Sequence, residues 1–169
     1  DRWVIRDACR QLSHWQKQFP NRSLSINVNL SSRQFLHKEL PDFIEETAKE
    51  FGISHNQLKL EITENTFLEQ NTLAIEILNE LKQRNFLICL DDFGTGYSSL
   101  SYVSQHPFDE IKIDRSFIGS LEVSEKDKLI VNAILSLAES LEYLVVAEGI
   151  ETPEALEYLQ NKGCHVGQG

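Results

Sequence analysis

The sequence predicts an α/β fold in which parallel strands alternate with helices, organised as a TIM-like (β/α)8 barrel of which about six β/α units are present. Helix-like and strand-like periods alternate along the 169 residues, and most strand-like runs end in acidic or amide side chains. No G-x-G-x-x-G motif follows the first strand. An open sheet gathers site residues mainly at one switch point, whereas a barrel gathers them from the ends of many strands.

Apolar side chains recur at helical spacing in five segments. They span residues 3–19, 41–51, 73–82, 127–141 and 153–162. Pro20 ends the first segment and Gly52 the second, because proline cannot continue a helix and glycine adopts the left-handed C-cap. We expect Ser31 or Ser32 to cap a helix after the first strand. The charged run at residues 122–128 is interpreted as a solvated connection that leads into the next helix.

Strand-like runs lie between the helical segments, at residues 24–30, 58–63, 86–90, 110–113, 144–147 and 165–168. The short apolar runs FLICL and LVVA are typical of buried parallel strands. A complete barrel of this kind takes about 250 residues. We therefore expect residues 1–169 to be one domain that lacks its first strand or strands and its C-terminal end.

Composition excludes some classes of partner. Lysine and arginine number 16 against 26 acidic residues, so the formal net charge is 16 − 26 = −10, which argues against binding a nucleic-acid polymer. This negative charge is compatible with a phosphate ligand if cations lie between the phosphate and the carboxylates. Cys9, Cys89 and Cys164 form no C-x-x-C pattern, which indicates a reducing, cytoplasmic setting rather than a zinc site. No apolar run approaches the ~20 residues of a membrane span.

Two early strands carry polar side chains near their ends. Glu61 lies inside the apolar run LEI, and a buried carboxylate is costly unless it is paired or binds a metal. A structural ion pair with a lysine or arginine is the alternative. Glu64 follows just past the strand and could brace a loop. Asn27 and Asn29 share one strand face, and an amide oxygen is a reasonable ligand for hard cations.

The run Asp91-Asp92-Phe93-Gly94 follows the FLICL strand. Adjacent side chains of a strand point to opposite faces, but a turn at the strand end brings both carboxylates to one site. Two such carboxylates are suited to bridge a pair of divalent ions ~3.5–4 Å apart in a phosphoryl displacement. An ordinary Asp-Gly turn is the alternative reading.

Later strands add a lysine and two more carboxylates. Lys112 and Asp114 share a strand face at positions i and i+2, so they can point into one site or form an interior salt bridge. Glu148 ends the LVVA strand directly before Gly149. Oxygen ligands dominate this candidate set, which favours Mg²⁺ or Mn²⁺ over zinc.

Six motifs together closely resemble the EAL domain family. They are VNLS at residues 28–31, LEITE at 60–64, DDFGTGYSSL at 91–100, KIDRSF at 112–117, AEGIET at 147–152 and GCHVGQG at 163–169. The resemblance runs through essentially the whole chain. It implies a (β/α) barrel that hydrolyses the bacterial messenger cyclic di-GMP to linear pGpG with two ions of Mg²⁺ or Mn²⁺.

The resemblance also implies a role for each matched residue. The implied metal ligands are Asn29, Glu61, Asp91, Asp92 and Glu148, the last as ligand or proton acceptor. Lys112 would position the attacking water, Asp114 and Gln168 would support the site, and Glu64 would hold the loop at residues 93–101. Further implied properties are a homodimer, linked sensory or GGDEF-type domains, and a cytoplasmic location, alone or as part of a membrane-anchored protein.

One feature departs from the family pattern. The Glu-Ala-Leu tripeptide that names the family is expected upstream of Asn29, on the first barrel strand, and residues 1–28 contain no such tripeptide. Activity of the 169 residues alone is therefore not expected, whereas the intact domain is expected to be active. The alternatives are an inactive module that binds cyclic di-GMP or signals to a partner, and a metal-dependent barrel hydrolase with another phosphate ester as substrate.

Overall fold

Strands and helices alternate along the chain in the computed structural model, which describes residues 2–68, 72–95 and 100–169. The chain forms two compact units, Asp1–Ile88 and Cys89–Gly169. Within the described residues, we find no helical stretch with the length and hydropathy that a bilayer crossing needs.

The first unit alternates helices with strands around a core of branched apolar side chains. Its elements are α1 (Arg2–Gln18), β1 (Ile26–Leu30), α2 (Ser32–Phe35), α3 (Leu40–Phe51), a 3₁₀ turn (His55–Gln57), β2 (Leu58–Thr63), α4 (Asn65–Leu68) and α5 (Thr72–Gln83). Strands β1 and β2 pair in parallel, with Asn29 opposite Glu61. Helix α1 buries Ile5, Cys9 and Leu12, whose spacing of four and three residues places them on one helix face.

The second unit repeats the same alternation. Its elements are β3 (Leu87–Phe93), α6 (Leu100–Gln105), β4 (Glu110–Ile113), α7 (Arg115–Ile118), α8 (Glu125–Ser140), β5 (Leu144–Glu148), α9 (Pro153–Asn161) and β6 (Val166–Gln168). Strand β4 pairs in parallel with β3 on one side and β5 on the other, and β5 pairs with β6. All four residues of β4 are buried, as expected of an interior parallel strand.

The predicted strands and long helices are confirmed, with end points that differ from the predicted ones by at most three residues. Ser31 caps α2, since its side chain accepts a hydrogen bond from the Gln34 amide at 3.3 Å. Gly52 ends α3 in the left-handed conformation, with φ of 67°. The predicted connection at residues 122–128 is wrong in its second half, because Ser124 caps α8 and the helix begins at Glu125. The short helices α2, α4, α6 and α7 are too brief to show a period.

The three cysteines are expected to differ in the rate at which their thiols react. Cys9 and Cys89 are completely buried, and burial raises the pKa of the Cys9 thiol to about 11. Cys164 is partly exposed. Under native conditions iodoacetamide should therefore modify Cys164 well before Cys9 or Cys89, because the reagent needs an accessible thiolate. Mass spectrometry of timed digests checks this order, with a urea-unfolded sample as control; modification of Cys9 as fast as Cys164 would contradict it.

Candidate active site

Lys112 lies at the centre of a charged cluster in the second unit. Its Nζ is 3.2 Å from Oδ1 of Asp91 and 2.6 Å from Oε1 of Glu148. The lysine side chain is 7% exposed, and those of Asp91 and Glu148 are 12% and 19% exposed. Strands β3, β4 and β5 are parallel neighbours. Their C-terminal halves therefore bring these three residues together. The interior salt bridge considered for Lys112 was with Asp114, whereas these two ion pairs link the lysine to carboxylates on the neighbouring strands.

A bulge in β3 explains how Asp91 and Asp92 both reach this region. The register of β3 against β4 shifts between Leu90 and Phe93. Asp92 has φ of 56°, in the left-handed region, and its amide donates to Oδ1 of Asp91 at 3.0 Å. Asp is one of the few residues that adopt this conformation at small cost. Asp91 and Asp92 thus lie within β3, which continues to Phe93, and a bulge stands where a turn at the strand end was predicted.

Asp92 belongs electrostatically to the same cluster. Burial raises the pKa of its carboxyl above the ordinary value, and the negative charges of Asp91 and Asp114 raise it further, against the opposing effect of Lys112. The carboxylates thus outnumber the single ammonium group among these residues. Such a surplus of negative charge is stabilised by cations.

Asp114 has a structural role that the sequence interpretation missed. It caps α7, and its Oδ1 accepts hydrogen bonds from the amide of Ser116 at 2.9 Å and from its hydroxyl at 2.5 Å. Burial acts to raise the pKa of Asp114, but these hydrogen bonds and the charge of Arg115 outweigh burial and lower it. Aspartate is among the preferred N-cap residues, so its position directly after a strand is a signal that could have predicted this role.

Gln168 lies on the last strand, β6. It is opposite Glu148 in the register of β5 and β6, and its backbone carbonyl accepts a hydrogen bond from the Ile150 amide at 3.1 Å. The residue is exposed. The structure therefore places Gln168 opposite Glu148 across β5 and β6, and its supporting role stays a prediction.

Glu61 is the buried carboxylate of the first unit. It is 4% exposed, and its Oε1 accepts a hydrogen bond from Nδ2 of Asn27 at 2.7 Å. Asn27 was expected only to share a face with Asn29; its contact with Glu61 comes from pairing across β1 and β2. Asn29 is exposed. An amide donor thus stabilises the buried Glu61 carboxylate.

Glu64 is buried just after β2, with 5% exposure. The loop at residues 93–101 that it was expected to hold lies partly outside the described residues, at positions 96–99. A chain of hydroxyl groups that the sequence did not reveal lies in the same part of the first unit. Ser32 Oγ is 2.9 Å from Thr66 Oγ1, which is 3.2 Å from Thr63 Oγ1.

The donor atoms of these residues suit a hard divalent cation. Within the second unit these donors are the carboxylates of Asp91, Asp92 and Glu148. Within the first unit, taken by itself, they are the Glu61 carboxylate and the Asn29 amide oxygen. Carboxylate and amide oxygens are ligands for Mg²⁺, Mn²⁺ or Ca²⁺. Across the described ranges, no group of three or more His, Cys, Asp or Glu side chains is arranged as a metal centre. Instead, the ammonium group of Lys112 lies between Asp91 and Glu148.

Comparison with known proteins defines the class of protein. The family model "EAL domain" matches residues 1–169. The bifunctional diguanylate cyclase/cyclic di-GMP phosphodiesterase MucR of Pseudomonas aeruginosa is 40% identical over 167 residues. The solved MucR phosphodiesterase in complex with c-di-GMP aligns with 99% of this chain at a TM-score of 0.94 and 39% identity. The EAL domain of Mycobacterium smegmatis DcpA aligns with 99% of this chain at a TM-score of 0.94 and 36% identity.

The chain therefore belongs to the EAL domain family. The similarity to the solved EAL structures confirms the predicted (β/α) barrel fold, present here in part. The chain spans 24% of the curated MucR sequence and 20% of a signalling protein of Caulobacter vibrioides that is 41% identical to it. It covers 68% of the solved MucR chain and 75% of the solved DcpA chain.

Proposed function

We propose that this chain contributes the catalytic residues of a phosphodiesterase that hydrolyses cyclic di-GMP to linear pGpG. The observation that carries the proposal is the buried Lys112 ammonium, held between Asp91 and Glu148 at the ends of three neighbouring parallel strands. MucR, a phosphodiesterase solved with c-di-GMP, supports the choice of substrate.

The reaction requires positive charge near the phosphate. Cyclic di-GMP is an anionic diester, and the cluster around Lys112 has more carboxylates than cations. A pair of Mg²⁺ or Mn²⁺ ions, when bound, would supply Lewis acidity and a more acidic water. The residues proposed to hold them are Asn29 and Glu61 in the first unit, and Asp91, Asp92 and Glu148 in the second.

Lys112 and Glu148 are proposed to handle the attacking water. The ammonium group can donate a hydrogen bond to the water oxygen and fix its position, while the Glu148 carboxylate accepts a proton from it. The water oxygen then forms a bond to phosphorus as the bond from phosphorus to the ribose 3′ oxygen breaks. The leaving oxygen takes up a proton, so the product is linear pGpG with a free 3′ hydroxyl.

The remaining matched residues have supporting roles in this proposal. Asp114, fixed by its hydrogen bonds with Ser116, adds negative charge beside Asp92. Gln168 is proposed to contact substrate or water near Glu148, and Glu64 to hold the loop at residues 93–101. We also propose a homodimer and a cytoplasmic location. Sensory or GGDEF-type domains are proposed to be linked to this one, because MucR, of which the chain spans 24%, is named for both a cyclase and a phosphodiesterase activity.

The assay for this proposal uses the full-length protein with cyclic di-GMP and either Mg²⁺ or Mn²⁺. We expect chromatography to show pGpG, and chelation of the metal by EDTA to stop its formation. Tight binding of cyclic di-GMP without turnover would contradict hydrolysis and support the inactive binding module. Turnover of other phosphate diesters but not of cyclic di-GMP would support a hydrolase with a different substrate.

A further inference from the structure

Asn27 contacts a residue that is proposed to hold a divalent ion, yet the proposed reaction gives Asn27 no role. Its Nδ2 lies 2.7 Å from Oε1 of Glu61. An ionised carboxylate can only accept hydrogen bonds, so the amide nitrogen of Asn27 is the group that faces it. A length of 2.7 Å is at the short end of the range for N–H···O bonds, where bonds to charged acceptors fall. The contact is therefore a strong hydrogen bond to the Glu61 carboxylate.

The register of β1 and β2 shows from which side Asn27 reaches Glu61. Asn29 lies opposite Glu61, whereas Asn27 lies opposite Lys59. Asn27 and Asn29 share a strand face because alternate residues of a strand point the same way. Each strand residue advances about 3.3 Å, so Asn27 lies about 6–7 Å further than Asn29 from the C-terminal ends of the strands. The hydrogen bond thus reaches Glu61 from the side away from the strand ends.

Glu61 needs a fixed orientation if its carboxylate is to bind an ion. A glutamate side chain has several rotatable bonds, and ordering them costs conformational entropy. A hydrogen bond to one carboxylate oxygen fixes the plane of the group before the ion arrives. Less ordering then remains to be done when the ion binds, which raises the affinity.

We propose that Asn27 is a positioning residue, whose amide holds the Glu61 carboxylate in the orientation in which it binds a divalent ion. The inference rests on the proposed function, because it takes Glu61 as a ligand of that ion. Residues that hydrogen-bond to ligating side chains fix the orientation of those side chains. Their loss commonly lowers metal affinity about 10- to 100-fold. Asn27 acts through Glu61 and does not itself bind the ion.

Isothermal titration of Mn²⁺ into the EDTA-treated and dialysed full-length protein, without cyclic di-GMP, tests this role. We expect Asn27→Ala to weaken Mn²⁺ binding about 10- to 100-fold, because Glu61 loses the donor that orients it. Asn56→Ala makes the same change at an exposed position of the first unit and should bind Mn²⁺ as the wild type does. Ion sites elsewhere in the full-length protein are common to all variants. Unchanged affinity in Asn27→Ala overturns the proposal.

Thermal unfolding in EDTA separates positioning from a purely structural role. If the amide only satisfied a buried carboxylate, its loss would lower the midpoint of unfolding and leave Mn²⁺ binding by the folded protein unchanged. We expect the affinity of Asn27→Ala to fall at a temperature where circular dichroism shows the variant and the wild type to be fully folded. A lower midpoint with an unchanged affinity overturns the proposal.

A double variant shows whether Asn27 acts through Glu61 or binds the ion itself. Glu61→Ala should weaken Mn²⁺ binding without abolishing it, because the carboxylates of the second unit remain. Adding Asn27→Ala to this variant should change the affinity by no more than about twofold, since residues that act through one another are not additive. An equal loss with and without Glu61 means that Asn27 binds the ion directly, and this result overturns the positioning role.

The titration does not depend on hydrolysis, so the two proposals can fail separately. If the wild type binds Mn²⁺ but forms no pGpG, the proposed function is contradicted, and weaker binding by Asn27→Ala still supports its positioning role. If pGpG forms and Asn27→Ala binds Mn²⁺ normally, the positioning role alone is overturned. A wild-type protein that binds no Mn²⁺ overturns both.

Discussion

The Glu148→Gln variant of the full-length protein is expected to turn over cyclic di-GMP about 10²- to 10⁴-fold more slowly than the wild type, the range typical of a lost general base. Glutamine has nearly the same shape as glutamate, and its amide oxygen can still accept a hydrogen bond from Lys112. It cannot accept a proton from water at neutral pH. The loss should therefore fall on turnover while the fold is retained.

Steady-state rates of pGpG formation measure this effect, and circular dichroism verifies that the variant is folded. Glu157→Gln, an exposed position on α9, makes the same chemical change away from the cluster and should leave turnover unchanged. Near-normal activity of Glu148→Gln would rule out Glu148 as the proton acceptor and would leave Lys112 without its proposed partner in positioning water.

The Gly149→Ala variant is expected to lose about 2 to 5 kcal/mol of local stability, the sum of a left-handed backbone penalty and an overpacking cost. Gly149 has φ of 72°, and a Cβ added there would lie 2.6 Å from Cβ of Arg115. Contacts this close do not occur, so β5 or α7 must shift. Because Gly149 directly follows Glu148, that shift should also displace the carboxylate.

Gly163→Ala separates the two contributions. Gly163 also has a left-handed φ, of 80°, but no atom lies within 4 Å of an added Cβ. The Gly163→Ala variant should therefore lose only about 1–2 kcal/mol of local stability, from the backbone penalty alone. Hydrogen exchange of peptides from β5 and from α9, followed by mass spectrometry, measures the local loss at each site. Equal losses in the two variants would contradict the proposed clash with Arg115.

The sequence predicted most of the secondary structure because the strands are short apolar runs with clear boundaries. Strand β2 at Leu58–Thr63 and strand β4 at Glu110–Ile113 have the predicted bounds. The burial of Glu61 was also readable, since a single acid interrupted an apolar run. These features depend on the local pattern of apolar and polar residues, which the sequence alone contains.

The ion-pair partners of the site residues could not be predicted from the local sequence pattern. Lys112 was expected to act with Asp114, two residues away, yet its ion pairs are with Asp91 and Glu148. Those contacts depend on the register of three strands separated by helices, and register is set by packing of the whole sheet.

The left-handed backbone at Asp92 limits which residues evolution can exchange there. Asparagine and glycine tolerate a φ of 56°, whereas β-branched side chains do not. Replacement by either would remove the charge and keep the bulge. A domain with this backbone could therefore lose the carboxylate and keep its scaffold through a single neutral substitution, and genomic surveys should find Asn or Gly at this position in EAL domains that bind without hydrolysis.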